Sequence, residues 1–277
     1  MSYGSILVPI DDHPAAAGSI AAALQLAAVF GARVQGVAIV PPLKVAQRLR
    51  PRQSAAALMK KEWEHDKQEA RAGIKRFEAQ AKKAGVAFAE GLCVEGDFVS
   101  LMARHARTAD LVVLPLPGED DIGVLGGHAV EATLLAVGRP MLLVPQKGLP
   151  SGFPRKVLVA WNGSREAARA LTDALPLLSR AKSVHIFTAG PANDEGPIHG
   201  AKAAIGYLAS HQVQAEAMHA TAADDRVGDA ILARAGRLGA DLVVMGAYGR
   251  PRFAELILGG ATRAILRRAA VPVLMSH

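Results

Sequence analysis

The stretch Asp241-Leu242-Val243-Val244-Met245-Gly246-Ala247-Tyr248-Gly249 carries an apolar run into a glycine turn, and Gly259-Gly260-Ala261-Thr262 follows it. The apolar run has the length of a buried parallel strand, and Ala261 to Arg268 opens a helix beyond the turn. A strand, a turn and a helix in that order put the turn at the C-terminal edge of a parallel sheet, where ligands of open α/β folds collect. Glycines there let backbone N–H groups approach an anion without a Cβ in the way, and the helix N-terminus adds donors and a favourable dipole. In a chain with 27 glycines, the same residues also read as ordinary turn and C-cap positions.

Working outward, the chain repeats itself. Ile6-Leu7-Val8-Pro9-Ile10-Asp11 and Val157-Leu158-Val159-Ala160-Trp161-Asn162 are both strands ending in Asx, 151 positions apart. Each leads into an alanine-rich helix, near 15–30 and 165–180, and then into a short apolar strand, Val34 to Val40 and Ser183 to Thr188. Gly127 to Pro140 and Gly259 to Pro272 both bracket a helix and introduce an apolar strand, Met141 to Val144 and Val273 to Met275. The prolines stand only 132 positions apart, so the first copy holds extra residues, assigned to a long charged helix from about Ser54 to Ala84. Trp63, Ala70, Ile74, Phe77 and Ala81 give that helix one buried stripe. Each copy reads β-α-β-α-β-α-β-α-β, an α/β fold with a doubly wound, five-stranded parallel sheet covered on both faces. Two domains, 1–147 and 153–277, flank a linker from Gln146 to Pro154.

The pattern Gly246-x2-Gly249-x9-Gly259, with small residues up to Thr262, resembles the phosphate-binding stretch of the universal stress protein family. The resemblance continues through Arg263-Ala264-Ile265-Leu266-Arg267-Arg268 and Val271-Pro272-Val273-Leu274-Met275. It implies a tandem stress-response protein with two Rossmann-like, adenine nucleotide alpha hydrolase-like domains. It also implies that the final strands pair across a two-fold, giving an intramolecular pseudo-dimer and leaving a further homodimer open. The implied ligand is ATP or another adenine nucleotide, with Mg2+ an open companion. By this resemblance Met245, Gly246, Gly249, Arg250, Gly259, Gly260, Ala261 and Thr262 surround the phosphates. Ala160, Trp161, Asn162 and Thr188, with Phe187 beside the last, border the nucleoside. Two positions depart from the family pattern: Gly260 stands where many members carry Ser or Thr, and Asn162 stands where an acidic residue contacts the nucleoside. An amide still hydrogen-bonds ribose or base, and Arg250 reads equally as a phosphate partner and as a surface charge.

The first copy has lost this pattern. After Asp110-Leu111-Val112-Val113-Leu114 it runs Pro115-Leu116-Pro117-Gly118-Glu119-Asp120-Asp121, with prolines where N–H donors are needed and carboxylates that repel phosphate. His128 and Val130 occupy the positions of Gly260 and Thr262. The expectation is that this copy binds no nucleotide in this mode.

Composition narrows the function classes. Hydrophobic residues make up 51% and no apolar run reaches the roughly 18 residues of a membrane span. Met1-Ser2-Tyr3-Gly4-Ser5 enters a strand without an export signal, so a cytoplasmic protein is expected. The net charge of +7 is interleaved, as in Lys60-Lys61-Glu62-Trp63-Glu64-His65-Asp66-Lys67, and only 4% of residues are aromatic, which argues against nucleic acid. The single cysteine, Cys93, excludes an intrachain disulfide and is expected to be a small buried hydrophobe. Asp11-Asp12-His13 reads as a helix start before Pro14, with metal or acid–base chemistry as the minor alternative. His185 reads as a core residue, and no nucleophile elbow, Walker-type lysine or zinc-binding histidine pair occurs, so no catalytic or metal residue is assigned. A slow ATPase and a scaffold that binds no nucleotide remain the alternatives.

Overall fold

The structure, a computed structural model, describes residues 2–43, 53–118, 127–190, 196–249 and 260–277. The first half runs β1 (Ser5–Ile10), α1 (Pro14–Phe30), β2 (Arg33–Val40), α2 (Gln53–Lys83), β3 (Ala89–Glu95), α3 (Phe98–Ala106), β4 (Leu111–Pro115), α4 (Gly127–Ala136) and β5 (Met141–Val144). The second runs β6 (Lys156–Ala160), α5 (Arg165–Asp173), the short α6 (Leu175–Leu178), β7 (Ser183–Gly190), α7 (Gly196–Ser210), β8 (Ala215–Thr221), α8 (Val227–Leu238), β9 (Leu242–Gly246), α9 (Gly260–Arg268) and β10 (Val273–Ser276). The additional length of the first copy sits in α2, with 31 residues against 15 in α7.

All ten strands form one sheet in the order β3-β2-β1-β4-β5-β10-β9-β6-β7-β8. Within each half every pairing is parallel. The halves meet where β10 pairs antiparallel with β5, in register Val273↔Leu143, Leu274↔Leu142 and Met275↔Met141. The central strands are buried on both faces, which explains why they read as unbroken apolar runs rather than alternating ones. One face is filled by side chains of α1, α2 and α5 to α7, including Leu24, Phe77, Leu171 and Leu208. The other is filled from α3, α4, α8 and α9, including Met102, Leu134, Ile231 and Ile265.

Two further contacts fix the seam between the halves. The Tyr3 hydroxyl donates to the Asp173 carbonyl at 2.7 Å, and Arg169 Nη2 donates to the Gly138 carbonyl at 3.1 Å. The connection between halves lies on α1: a Cβ at Gly18 would stand 2.5 Å from the Gln146 carbonyl oxygen.

One matched aspartate anchors the start of each half. Asp110, just before β4, accepts from the Gly4 and Ser5 N–H groups at 2.8 and 3.0 Å. Asp241, just before β9, accepts from the Arg155 and Lys156 N–H groups at 2.8–2.9 Å. Each carboxylate satisfies donors that the first strand of its half leaves open at its N-terminal end.

Cys93 is exposed, contrary to the buried position expected of it. It lies on β3, an edge strand of the sheet, where neighbouring strands cover only one side. Asp11-Asp12-His13 starts α1 as expected, with His13 as N-cap accepting from the Ala15 N–H at 3.3 Å and Asp11 accepting from the His13 N–H at 2.7 Å. His185 is buried, as read from the sequence, and its nearest charged neighbour is Glu216 at 3.7 Å.

Candidate functional site

In the second half the sheet reverses direction of connection at β6, whose neighbours are β9 on one side and β7 on the other. That arrangement creates a crevice at the C-terminal ends of β6 and β9. From β6 the chain turns through Asn162, whose Oδ1 accepts the Ser164 N–H at 3.1 Å, and through Gly163 with φ of 73°. Ser164 then caps α5, its Oγ accepting the Ala167 N–H at 3.1 Å, and Glu166 sits in the first turn, where the helix dipole favours a carboxylate.

The β9 turn packs directly on this helix start. A Cβ at Gly246 would stand 2.4 Å from the Ala167 nitrogen and 2.5 Å from the Glu166 carbonyl carbon. A Cβ at Gly249 would stand 2.7 Å from Ser164 Oγ and 2.9 Å from Glu166 Oε2. Both glycines are therefore required by contact within the chain, whatever they also do for a ligand. Between them Ala247 donates to the Ser276 carbonyl at 2.9 Å, and Tyr248 adopts φ of 58°, a left-handed conformation that non-glycine residues seldom take. The Tyr248 N–H donates to Thr262 Oγ1 at 3.4 Å, tying the turn to the first turn of α9. Gly260, which opens α9, is exposed, and among the described residues nothing comes within 4 Å of where a Cβ would stand. Ala261 lies at the crossing with α8, where a Cβ on Gly228 would be 3.2 Å from its Cα.

One charged side chain is buried here. Glu166 is only 4% exposed, with one carboxylate oxygen hydrogen-bonded by Arg165 Nε. Burial pushes its carboxyl up, but hydrogen bonds from Arg165, its own backbone N–H and Ser164, together with the Arg165 charge, outweigh burial and hold it below the usual carboxylate range. The group is thus a fixed negative charge against the glycine turn. In sequence, a serine followed by an acid in the next turn is an ordinary helix-start signal, so nothing local marks Glu166 as a buried charge.

Other expected site residues are placed as follows. Ala160 ends β6 beside Met245 and Phe187, and Met245 is buried in the core. Trp161 turns toward α7, where a Cβ on Gly200 would be 3.0 Å from its Nε1, and that buried indole N–H has no partner among the described residues. Thr188 shares a 2.8 Å hydrogen bond with His219 on β8, and Phe187 is buried under Arg234 at 5.5 Å. Arg250 and Gly259 lie outside the described residues. Among the cavities lined by described residues, one of about 320 Å³ and one of about 630 Å³ lie in the first half, the larger between α1 and α2.

The universal stress protein family model matches residues 154–277, the half that carries this crevice. That half belongs to the universal stress protein family. The whole chain shares its fold with a universal stress protein from Archaeoglobus fulgidus DSM 4304, at 18% identity over 99% of this chain and 98% of that one, with a TM-score of 0.73. A functionally unknown protein from Pseudomonas aeruginosa PAO1 aligns at 16% identity over 99% of this chain and 92% of its own, with a TM-score of 0.63. A universal stress protein in complex with cAMP covers 53% of this chain and 99% of its own, at 19% identity and a TM-score of 0.38. No curated protein matches the chain.

The first half keeps the universal stress protein fold while replacing both members of the bond that ties turn to helix. Leu116 donates to the Val144 carbonyl at 2.8 Å, the counterpart of Ala247 and Ser276. The next residue, Pro117, has no N–H, and Val130 stands buried where Thr262 offers its hydroxyl. Residues 119–121, whose carboxylates were expected to repel phosphate, lie outside the described residues.

Proposed function

We propose that the C-terminal universal stress protein domain binds an adenine nucleotide, ATP or a close relative, and that the N-terminal domain binds none in this mode. The chain then acts as a binding module in the cytoplasm, with domains at 1–147 and 153–277 arranged as an intramolecular pseudo-dimer. The observation that carries this reading is the start of α9: Gly260 leaves the first turn open to solvent at the C-terminal edge, directly after the family's glycine spacing. Unsatisfied N–H groups and the positive end of the helix dipole meet there, which suits a phosphate. Asn162 and the backbone around Ala160 and Trp161 border the same edge on the β6 side. Nothing among the described residues at this edge forms a general acid–base pair, so binding rather than turnover is the proposed activity.

The competing reading is a scaffold that binds no nucleotide. It is favoured by one observation: Gly246 and Gly249 are already explained by packing on α5. Titration calorimetry of the full chain with ATP and AMP, together with identification of any copurifying small molecule, separates the two. Stoichiometric binding supports the nucleotide module, and absence of heat with both ligands leaves the scaffold.

A further inference from the structure

The two halves treat the space between the helices that follow their first and second strands differently. Their residues match by contact: Gly73 of α2 passes Ile10, where a Cβ would stand 3.1 Å from Cγ2, and Gly200 of α7 passes Trp161, where a Cβ would stand 3.0 Å from Nε1. Both helices end alike, the Val86 N–H donating to the Ala81 carbonyl and the Val213 N–H to the Leu208 carbonyl, each at 3.0 Å. Gln80 is thus the counterpart of Tyr207, and the 151-residue spacing of the first strands makes Ala21 the counterpart of Thr172. In the second half the Tyr207 hydroxyl shares a 3.1 Å hydrogen bond with Thr172 and joins α7 to α5. In the first half Ala21 and Gln80 supply neither the ring nor the bond, and Ile10 replaces the indole of Trp161. The cavity of about 630 Å³ between α1 and α2 opens there, a size within the range of roughly 300–1,000 Å³ for small-molecule sites. Phe77, larger than its counterpart Ala204, is 1% exposed and forms floor rather than lid, beside Ile10, Ile20 and Leu24. From Gly73 to Lys83 the groove follows α2 for about 15 Å.

Its charged groups are sorted to the two ends. At the strand end Asp12 pairs with Arg76, Asp11 accepts the His13 N–H and His13 Nδ1 accepts the Ala15 N–H, which places two carboxylates against one guanidinium. At the other end Lys83 lines the opening beside Gln25 and Gln80, with no ion pair among the described residues. Lys82 and Lys83, both in the last turn of α2, outweigh the partial negative charge of that helix terminus. An anionic group is therefore repelled from one end and attracted to the other, with apolar surface between them.

We propose that the groove between α1 and α2 binds a small amphipathic anion, an unbranched apolar chain ending in one carboxylate, with the carboxylate at Lys83 and the chain running over Leu24 and Ile20 toward Ile10. The site is independent of the nucleotide reading, because no residue that lines it belongs to the C-terminal crevice.

The test is calorimetry on the full chain with dodecanoate, held below its micelle concentration, and with dodecyltrimethylammonium as a chain of equal length and opposite charge. One dodecanoate is expected to bind per chain, about fivefold or more tightly than the cation. Lys83→Glu, on an exposed side chain, should weaken dodecanoate about fivefold or more. Ala21→Thr combined with Gln80→Tyr transplants the pair that joins α5 to α7, and it should abolish binding while the protein melts like wild type. Absence of dodecanoate binding by the wild-type protein overturns the proposal. So does equal affinity for the two probes, an unchanged affinity in Lys83→Glu, or full binding by a double variant that melts like wild type. Should the double variant fail to fold, Ala21→Trp, at an exposed position on the groove wall, takes its place, and retained binding in it overturns the proposal equally.

Discussion

Gly249 stands against Ser164 so closely that a Cβ on the glycine would lie 2.7 Å from the serine hydroxyl oxygen. The glycine of a ligand-binding pattern is thus also the residue that lets the β9 turn close over the α5 cap. Gly249→Ala should cost about 1–2 kcal/mol of stability by displacing Ser164 from its capping bond. Gly246→Ala should cost more, about 2–3 kcal/mol, because its neighbours are backbone atoms of Glu166 and Ala167 that cannot swing aside. Urea denaturation of both variants checks the order.

Gly260 is the position at which ligand and fold separate. Gly260→Asp adds a carboxylate at a helix N-terminus where no described residue stands within 4 Å of the added Cβ, so the melting midpoint should stay within about 2 °C of wild type or rise. The same charge should lower nucleotide affinity about tenfold or more. Gly127→Glu, at the start of α4 and the counterpart of Gly259, should leave affinity unchanged. Gly260→Ser should tighten binding several-fold by restoring a hydroxyl, roughly the worth of one hydrogen bond. Calorimetry alongside thermal melts reads all three.

Tyr3 links the halves through a buried hydroxyl. Burial pushes that hydroxyl far above the ordinary tyrosine range, and the carboxylates of Asp173 and Asp110 push it the same way. The folded state therefore holds the proton more tightly than the unfolded state, whose tyrosine titrates near pH 10. The stabilisation is complete below that pH and declines as pH rises above it. Tyr3→Phe should cost about 1 kcal/mol at neutral pH through loss of the bond to Asp173, and it should flatten the stability loss between about pH 9 and 11.

Asp110 and Asp241 perform one task in two places. Replacing either by Ala strips two backbone N–H groups of their acceptor and should lower stability by about 1–2 kcal/mol. Because the two sites are far apart in the sheet, the double variant should show the sum of the single losses. Thermal melts of the two single variants and the double variant provide the check.

Much of this architecture was legible because strands buried on both faces leave continuous apolar runs, as in Leu111 to Leu114 and Leu242 to Met245, and because the chain writes the pattern twice. The site was harder to read. Glycine spacing does not say what a glycine avoids, and at 246 and 249 the close neighbour is α5. Asp110 and Asp241 stand at the head of two apolar runs in the sequence, yet their carboxylates meet strands more than 80 residues distant, a contact that only the fold creates. Cys93 looked internal because its flanks are apolar, whereas burial depends on which strand ends the sheet. The left-handed backbone at Tyr248 carries no local sequence signal, since the residue usually chosen for it is glycine or asparagine.

The antiparallel join of β5 to β10 has a consequence for how such a molecule reports on its ligand. Two separate chains that associate through their last strands would drift apart on dilution and present a matched pair of pockets. Here both partners travel on one polypeptide, so the effective concentration that holds the seam is set by the connecting chain rather than by expression level. If only the C-terminal half binds, as proposed, occupancy should follow a simple saturation curve at any protein concentration, and the other half becomes a constant surface that comes with every loaded pocket.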